Sequence, residues 1–216
     1  MVCLGNMCMA TLHKGDDAII IIIIITTACE QLASTEYAKR HDGVAKVIHQ
    51  KLAEAAELIE DKSSHYGYTP ANVLDNDNFK LYWNHSIMHK TIPADRPDIT
   101  FMNKKTKTTY LIDTAVPMID TAVPMIDTAV PNTHNLAKTI AEKQSKYQEL
   151  ANEICAMWKQ NTVQVILIVI SSTGVIPKSP SQSLKILNLH QNTYIQMQKS
   201  VILGTCSIVR NFLNHN

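Results

Sequence analysis

Residues 163–172, VQVILIVISS, carry one polar side chain among their first eight positions. A half-buried strand alternates apolar and polar residues, so a run with no polar face needs cover on both sides. That requirement predicts a central strand in a sheet sandwiched by helices, and the remaining periodicity supplies them. Over residues 42–61 a helical face is spelled by Val44, Ile48, Leu52, Ala55 and Ile59, with Lys46, Glu57 and Glu60 turned away. The longest helix is expected to start at a cap on Asn132 or Thr133 and to end near Lys159. A last helix is expected over residues 194–213, with Val201, Thr205 and Ile208 inward. FKLYWN (79–84) reads as a short strand, and DITFMN, KKTK and TTYLIDTAV as a β-hairpin. SSHYGYTPANVLDNDN is rich in turn formers and reads as loop, and GVIPKSPSQS as a break. These elements give an α/β (α+β) class with a mixed sheet flanked by helices.

At 45% apolar and 18% charged, the 216-residue chain can bury a globular core. A net charge of +1 excludes a histone-like polycation, so any nucleic-acid contact must come from local patches. The five cysteines, Cys3, Cys8, Cys29, Cys155 and Cys206, are odd in number and scattered, which favours a reducing compartment over a disulfide framework. The run of seven isoleucines after Ala18 is far short of the roughly 20 apolar residues that a membrane span needs. It lacks the basic start and cleavage site of a signal peptide, so no membrane partner is expected. A buried or aggregation-prone strand and low-complexity drift are the two readings of it.

The chemistry concentrates in RPDITFMNKKTKTTYLID, residues 96–113. Asp98 opens one strand of the hairpin and Asp113 lies in the other, with 14 residues between them. Carboxylates so placed can converge at one end of a sheet and hold Mg²⁺ or Mn²⁺. The alternative is that Asp98 caps a turn after Pro97 and Asp113 is a satisfied strand acid. The long helix adds a lysine. At about 100° per residue, Leu136, Ile140, Tyr147, Leu150, Ile154 and Trp158 fall on one stripe, and Lys143 sits in its middle. A buried ammonium is costly without a partner, so Lys143 either snorkels to water or points at the carboxylates. Lys146 lies at the flank of the stripe as the second choice, and Lys138 points away. Two acids and a lysine are the parts of a metal-dependent nuclease, the lysine orienting water or stabilising the phosphorane. Arg96, Lys104 and Lys105, with Lys90 and Lys107, are expected around this site as a phosphate track, or else as a solvated turn. His41 can contact phosphate while Asp42 caps the helix behind it. Tyr66, Tyr68, Tyr82 and Trp83 can stack on bases or fill a core.

KRHDGVAKVIHQ (39–50), NDNFKLYWN, TIPADRPDI, KTKTTYLIDTAVP with NTHN, EKQSKYQEL and VIPKSPSQSL form an ordered series over residues 29–213. The series resembles the C-terminal region of polyproteins from site-specific non-LTR retrotransposons, where a cysteine/histidine knuckle leads into a restriction-enzyme-like endonuclease. The resemblance implies a PD-(D/E)xK core that nicks target DNA in the nucleus, with Asp98 and Asp113 as Mg²⁺ ligands. It also implies a basic-His-Asp box at Arg40, His41 and Asp42, with Arg40 and His41 as surface contacts to DNA phosphate. Element RNA would be a partner only through a full-length polyprotein, and no polymerase is encoded here. Ala115 stands where the D-x-K lysine belongs, so Lys143 would supply it from the helix. Residues 1–30 would be a degenerate knuckle: Cys8 and Cys29 fit, but Gly5 and Ile24 replace a cysteine and the histidine, and Cys3 and His13 are off-spacing. Zinc is therefore not expected. Residues 31–216 would be the endonuclease-like domain. An impaired nuclease, a non-catalytic nucleic-acid-binding remnant and an inert relic all remain open.

One peculiarity interrupts the domain. LIDTAVP, MIDTAVP and MIDTAVP follow one another over residues 111–131, delivering Asp113, Asp120 and Asp127. Units of seven are too short for a solenoid, and an odd repeat puts successive aspartates on opposite faces of a strand. Pro117, Pro124 and Pro131 would break the strand in any case. The economical reading is one native copy and a 14-residue duplicated insertion. A short KKTK turn favours the first copy, making Asp113 the partner of Asp98, with 118–131 looped out and Asp127 the alternate.

Overall fold

The computed structural model describes residues 33–60, 63–87, 96–116, 133–172, 174 and 180–214. The expected knuckle and isoleucine run, Lys90, and the second and third copies with Asp120 and Asp127 lie outside them.

A π-helical turn, Ala33–Tyr37, runs straight into helix α1, Ala38–Ala55. Because the turn is already helical at Tyr37, α1 starts ahead of Asp42, which sits inside the helix and caps nothing. At the other end the expected helix was too long. Glu57 takes φ 54°, and the amides of Glu57 and Leu58 return to the carbonyls of Glu54 and Ala53 at 3.2 and 2.8 Å. This is a Schellman closure built without glycine, so nothing in the composition marked it. Val44, Ile48 and Leu52 are buried as expected, but Ala55 is exposed and Ile59 lies beyond the helix.

Strands β1 (Val73–Asp75), β2 (Phe79–Trp83), β3 (Ile99–Asn103) and β4 (Thr108–Ala115) form an antiparallel meander. Helix α2 (Thr133–Met157) then crosses over to β5 (Thr162–Val169), which pairs in parallel with β4. Helix α3 (Pro180–Ile186) and helix α4 (Asn192–Asn214) complete the chain. The result is the expected mixed sheet flanked by helices. No helix among the described residues is long and apolar enough to cross a membrane.

Three expectations are corrected. The apolar run 163–172 is covered on both faces but is not central: β5 ends the described strand order, β1-β2-β3-β4-β5. Parallel pairing needs a crossover helix on one face, and the other face carries the main core, which explains the composition without a central position. Val163, Val165 and Leu167 meet α2, whereas Ile166, Ile168 and Ile170 join Val44, Ile48, Leu52 and Ile112. Second, β1 forms inside the expected loop, because Asn76 Oδ1 accepts the amides of Asn78 and Phe79 at 3.0 and 2.7 Å and closes a tight hairpin. Third, α3 forms within the expected break, with Pro180 at its first position, where a missing N–H costs nothing.

Helices α1 and α4 cross closely. A Cβ on Gly204 would lie 2.9 Å from Arg40 Cγ, and one on Gly43 would lie 2.6 Å from Ser200 Oγ. This contact fixes the start of α1, and with it Arg40, His41 and Asp42, over the carboxyl end of β4.

Candidate functional site

Alternation along β4 sends Leu111 and Asp113 toward α2, and Ile112 and Thr114 toward α1. The strand ends just beyond, so the backbone of Thr114 is reached from both faces. On the α2 side, Lys143 Nζ donates to Asp113 Oδ2 and to the Thr114 carbonyl, the latter at 3.1 Å. Tyr147, one turn further along α2, donates its hydroxyl to Asp113 Oδ1 at 3.0 Å. On the α1 side, Asp98 Oδ2 accepts both the amide and the hydroxyl of Thr114 at 2.7 Å. His41 Nε2 lies 3.3 Å from the same carboxylate oxygen and 3.1 Å from the Thr114 carbonyl. His41 Nδ1 meets Asp42 Oδ1 at 3.2 Å.

Charge follows from this geometry. Hydrogen bonds to Asp42 and Asp98 push the His41 imidazole up to about 10 against the opposing effect of burial, so it is an imidazolium at neutral pH. Burial alone would raise the Asp98 carboxyl, but bonds from His41 and Thr114 outweigh it and hold Asp98 below its ordinary value. Two carboxylates and two cations thus bracket one backbone carbonyl: Asp98 with His41, Asp113 with Lys143, and the Thr114 oxygen between them.

The two strand aspartates therefore do approach one end of the sheet, from opposite faces. Their oxygens and the Thr114 carbonyl are hard donors, the chemistry that Mg²⁺ or Mn²⁺ takes. Among the described residues no three His, Cys, Asp or Glu side chains group to hold a metal, so a cation here would rest on two carboxylates, one carbonyl and water. It would contend with His41 and Lys143 for the same oxygens.

The other expected residues divide. Arg96 is exposed beside the site, its Nε donating to the Asn84 carbonyl at 2.9 Å. Lys146 stays on the exposed flank of α2, 5.4 Å from the Tyr147 ring. Arg40 is corrected: only 4% exposed, it packs between α1 and α4, with Nη1 on Thr205 Oγ1 at 3.2 Å, and cannot line a phosphate track. Lys104 and Lys105 are corrected too. They sit in the β3–β4 turn, the full length of β3 from Asp98 and so roughly 20 Å away at about 3.4 Å per residue. Lys104 is engaged there by Asp75 and the Asn76 carbonyl.

Thr114 and Tyr147 were not singled out by sequence. Tyr147 counted only as a member of the apolar stripe, and its hydroxyl found Asp113 because it lies four residues beyond Lys143 on the same face. Thr114 follows Asp113 and so had to face the other side of the sheet, a signal that alternation alone could have carried. Compared with known proteins, the chain matches no family model, and no curated protein matches it significantly.

Proposed function

We propose that the cluster at the carboxyl end of β4 is the site of a metal-dependent DNA endonuclease of the PD-(D/E)xK kind, derived from a retrotransposon polyprotein. The observation that carries the reading is Lys143. A lysine placed by helical phase in an apolar stripe reaches a strand aspartate, beside a second aspartate that opens the neighbouring strand. Asp98 and Asp113, with the Thr114 carbonyl, are the residues that would hold Mg²⁺ or Mn²⁺, whose chemistry there is polarising a phosphodiester and lowering the pKa of water. Lys143 holds its charge at the carbonyl between them, where it can orient a water or meet charge developing on phosphate. His41 keeps a second fixed cation on the opposite side, and Arg96 offers an exposed one.

One observation favours the non-catalytic reading. Both carboxylates already carry an internal cation, so the cluster is self-compensated and could persist as a structural remnant that only binds nucleic acid. Nicking of supercoiled plasmid separates the two. Cleavage with Mg²⁺ or Mn²⁺, abolished by EDTA and by Asp98→Ala, supports the nuclease. Binding without cleavage under any divalent ion supports the remnant, and equal nicking by Asp98→Ala removes the proposed site.

A further inference from the structure

Among the described residues, the face of the sheet that bears Asp113 is only partly covered. Helix α2 packs over β5 and β4, with Leu111, Val163, Val165 and Leu167 beneath it. Tyr82 is paired through Thr100 to Leu111 and so lies on the same face of β2, where it and Lys80 remain half-buried. Across this open part runs a series of rings. Trp158, at the end of α2, stacks on Tyr82 at 6.0 Å and 27°, and Tyr82 stacks on His85 at 5.3 Å and 22°. Lys80 Nζ lies 5.3 Å from the Tyr82 ring centre. The series is closed at Trp158, where the helix adjoins it, and open at His85, which is exposed.

Of these three rings, His85 is the nearest in sequence to Asp98. Its neighbour Asn84 donates its amide to the Asp98 carbonyl at 2.7 Å, and the Asn84 carbonyl holds Arg96 Nε at 2.9 Å. An exposed aromatic surface and an exposed guanidinium therefore flank one residue, two strands, or about 10 Å, from β4. A π-surface beside a cation suits a nucleobase and its phosphate, because every base has a face to stack and every nucleotide a charge to neutralise. A base inside a duplex has both faces occupied and cannot use the ring.

We infer that His85, backed by Tyr82 and flanked by Arg96, is a stacking platform for an unpaired nucleotide, so that the site takes single-stranded DNA in preference to a fully paired duplex. The inference deepens the nuclease reading and rests on it for the direction of the strand toward Asp98 and Asp113.

The test is fluorescence anisotropy with labelled oligothymidylate and a duplex of the same length, in EDTA at fixed low salt, so that no cleavage is read. His85→Ala should weaken single-strand binding about tenfold and leave the duplex nearly unchanged, and His85→Phe should restore single-strand affinity. Arg96→Ala should weaken both and lower the salt slope by about one. The platform is overturned if His85→Ala binds single strands as the parent does, if the duplex suffers equally, if His85→Phe fails to rescue, or if the parent prefers duplex. Because divalent ions are absent, a protein that shows this pattern but never nicks keeps the platform and loses the nuclease. One that nicks without the pattern does the reverse.

Discussion

Two histidines, His49 buried and His41 half-buried, oppose each other in how stability depends on pH. His49 is fully buried on α1, with Nδ1 on the Tyr68 hydroxyl at 2.7 Å and the Trp83 ring edge-on at 5.6 Å. Its Nε2 has no partner among the described residues, and burial pushes the imidazole down to about 4. The unfolded chain therefore binds a proton near pH 6.5 that the folded protein refuses until about 4, so stability falls as pH drops through that window. At 1.36 kcal/mol per pH unit the loss is about 3 kcal/mol. His65, lowered by burial and by Lys51 and Lys199, pulls the same way. His41 has the reverse sign. Its folded value of about 10 means that its contribution is complete below 6.5 and is lost as pH rises toward 10. Uncorrected, that would amount to about 5 kcal/mol, and to roughly 2–3 kcal/mol once a side chain 31% exposed is discounted for solvent screening. Asp98, held below its ordinary value, is lost only in stronger acid than this window. Stability should therefore peak near pH 6.5 and fall on both sides. Urea unfolding followed by fluorescence of Trp83 and Trp158 measures it directly. His49→Gln should flatten most of the acid limb, and His41→Gln the alkaline limb. A flat profile between pH 4.5 and 6.5, or an acid limb that survives His49→Gln intact, would refute the reasoning.

Lys143→Met should abolish nicking while costing about 2 kcal/mol in urea, since it strips a buried carboxylate of its cation, whereas Lys146→Met on the exposed flank should change neither. Gly204→Ala should destabilise by about 1–2 kcal/mol despite better helix propensity, because the new Cβ meets Arg40 at 2.9 Å and the α1–α4 crossing must open; an unchanged urea midpoint would mean the helices part freely. Removing residues 118–131 should leave the circular dichroism spectrum unchanged and raise stability by about 1.5 kcal/mol, because the connection between Ala115 and Thr133 shrinks from 17 residues to 3 at about 0.6 kcal/mol per doubling. Loss of cooperative unfolding would show that the copies belong to the fold.

Where backbone geometry alone fixes a position, sequence was enough. The 3.6-residue period placed Lys143 on the buried face of α2, and pairing across KKTK put Ile99 opposite Ile112. Where a position depends on partners distant in sequence, it was not. Nothing local distinguishes β5 at the end of the strand order from β5 in the middle, because an edge strand covered by helices is as apolar as a central one. Arg40 looked like a surface cation until Thr205, 165 residues away, accepted its guanidinium. The lysines at 104 and 105 are a different case. A strand separates the residue that opens it from the turn that closes it by its own length, so Asp98 and that turn could never have shared a site. The hairpin already implied the correction.

The short KKTK turn is not the sole ground for choosing among the three copies. β4 begins at Thr108, and Thr108, Thr109 and Tyr110 pair with Asn103, Met102 and Phe101 on one side and with Thr162, Val163 and Gln164 on the other. Those three residues occur once, immediately before the first copy, so a strand that uses them must run on into Leu111, Ile112 and Asp113. A strand built on the third copy would instead be led in by Ala122, Val123 and Pro124. Proline would then stand where Tyr110 stands, between two neighbouring strands, with no amide to donate and a ring that crowds the ladder. The second copy fails in the same way, because Pro117 would lead it in. Only the first copy is preceded by residues that a doubly paired strand can accept, and that assigns Asp113, rather than Asp120 or Asp127, to the place opposite Lys143.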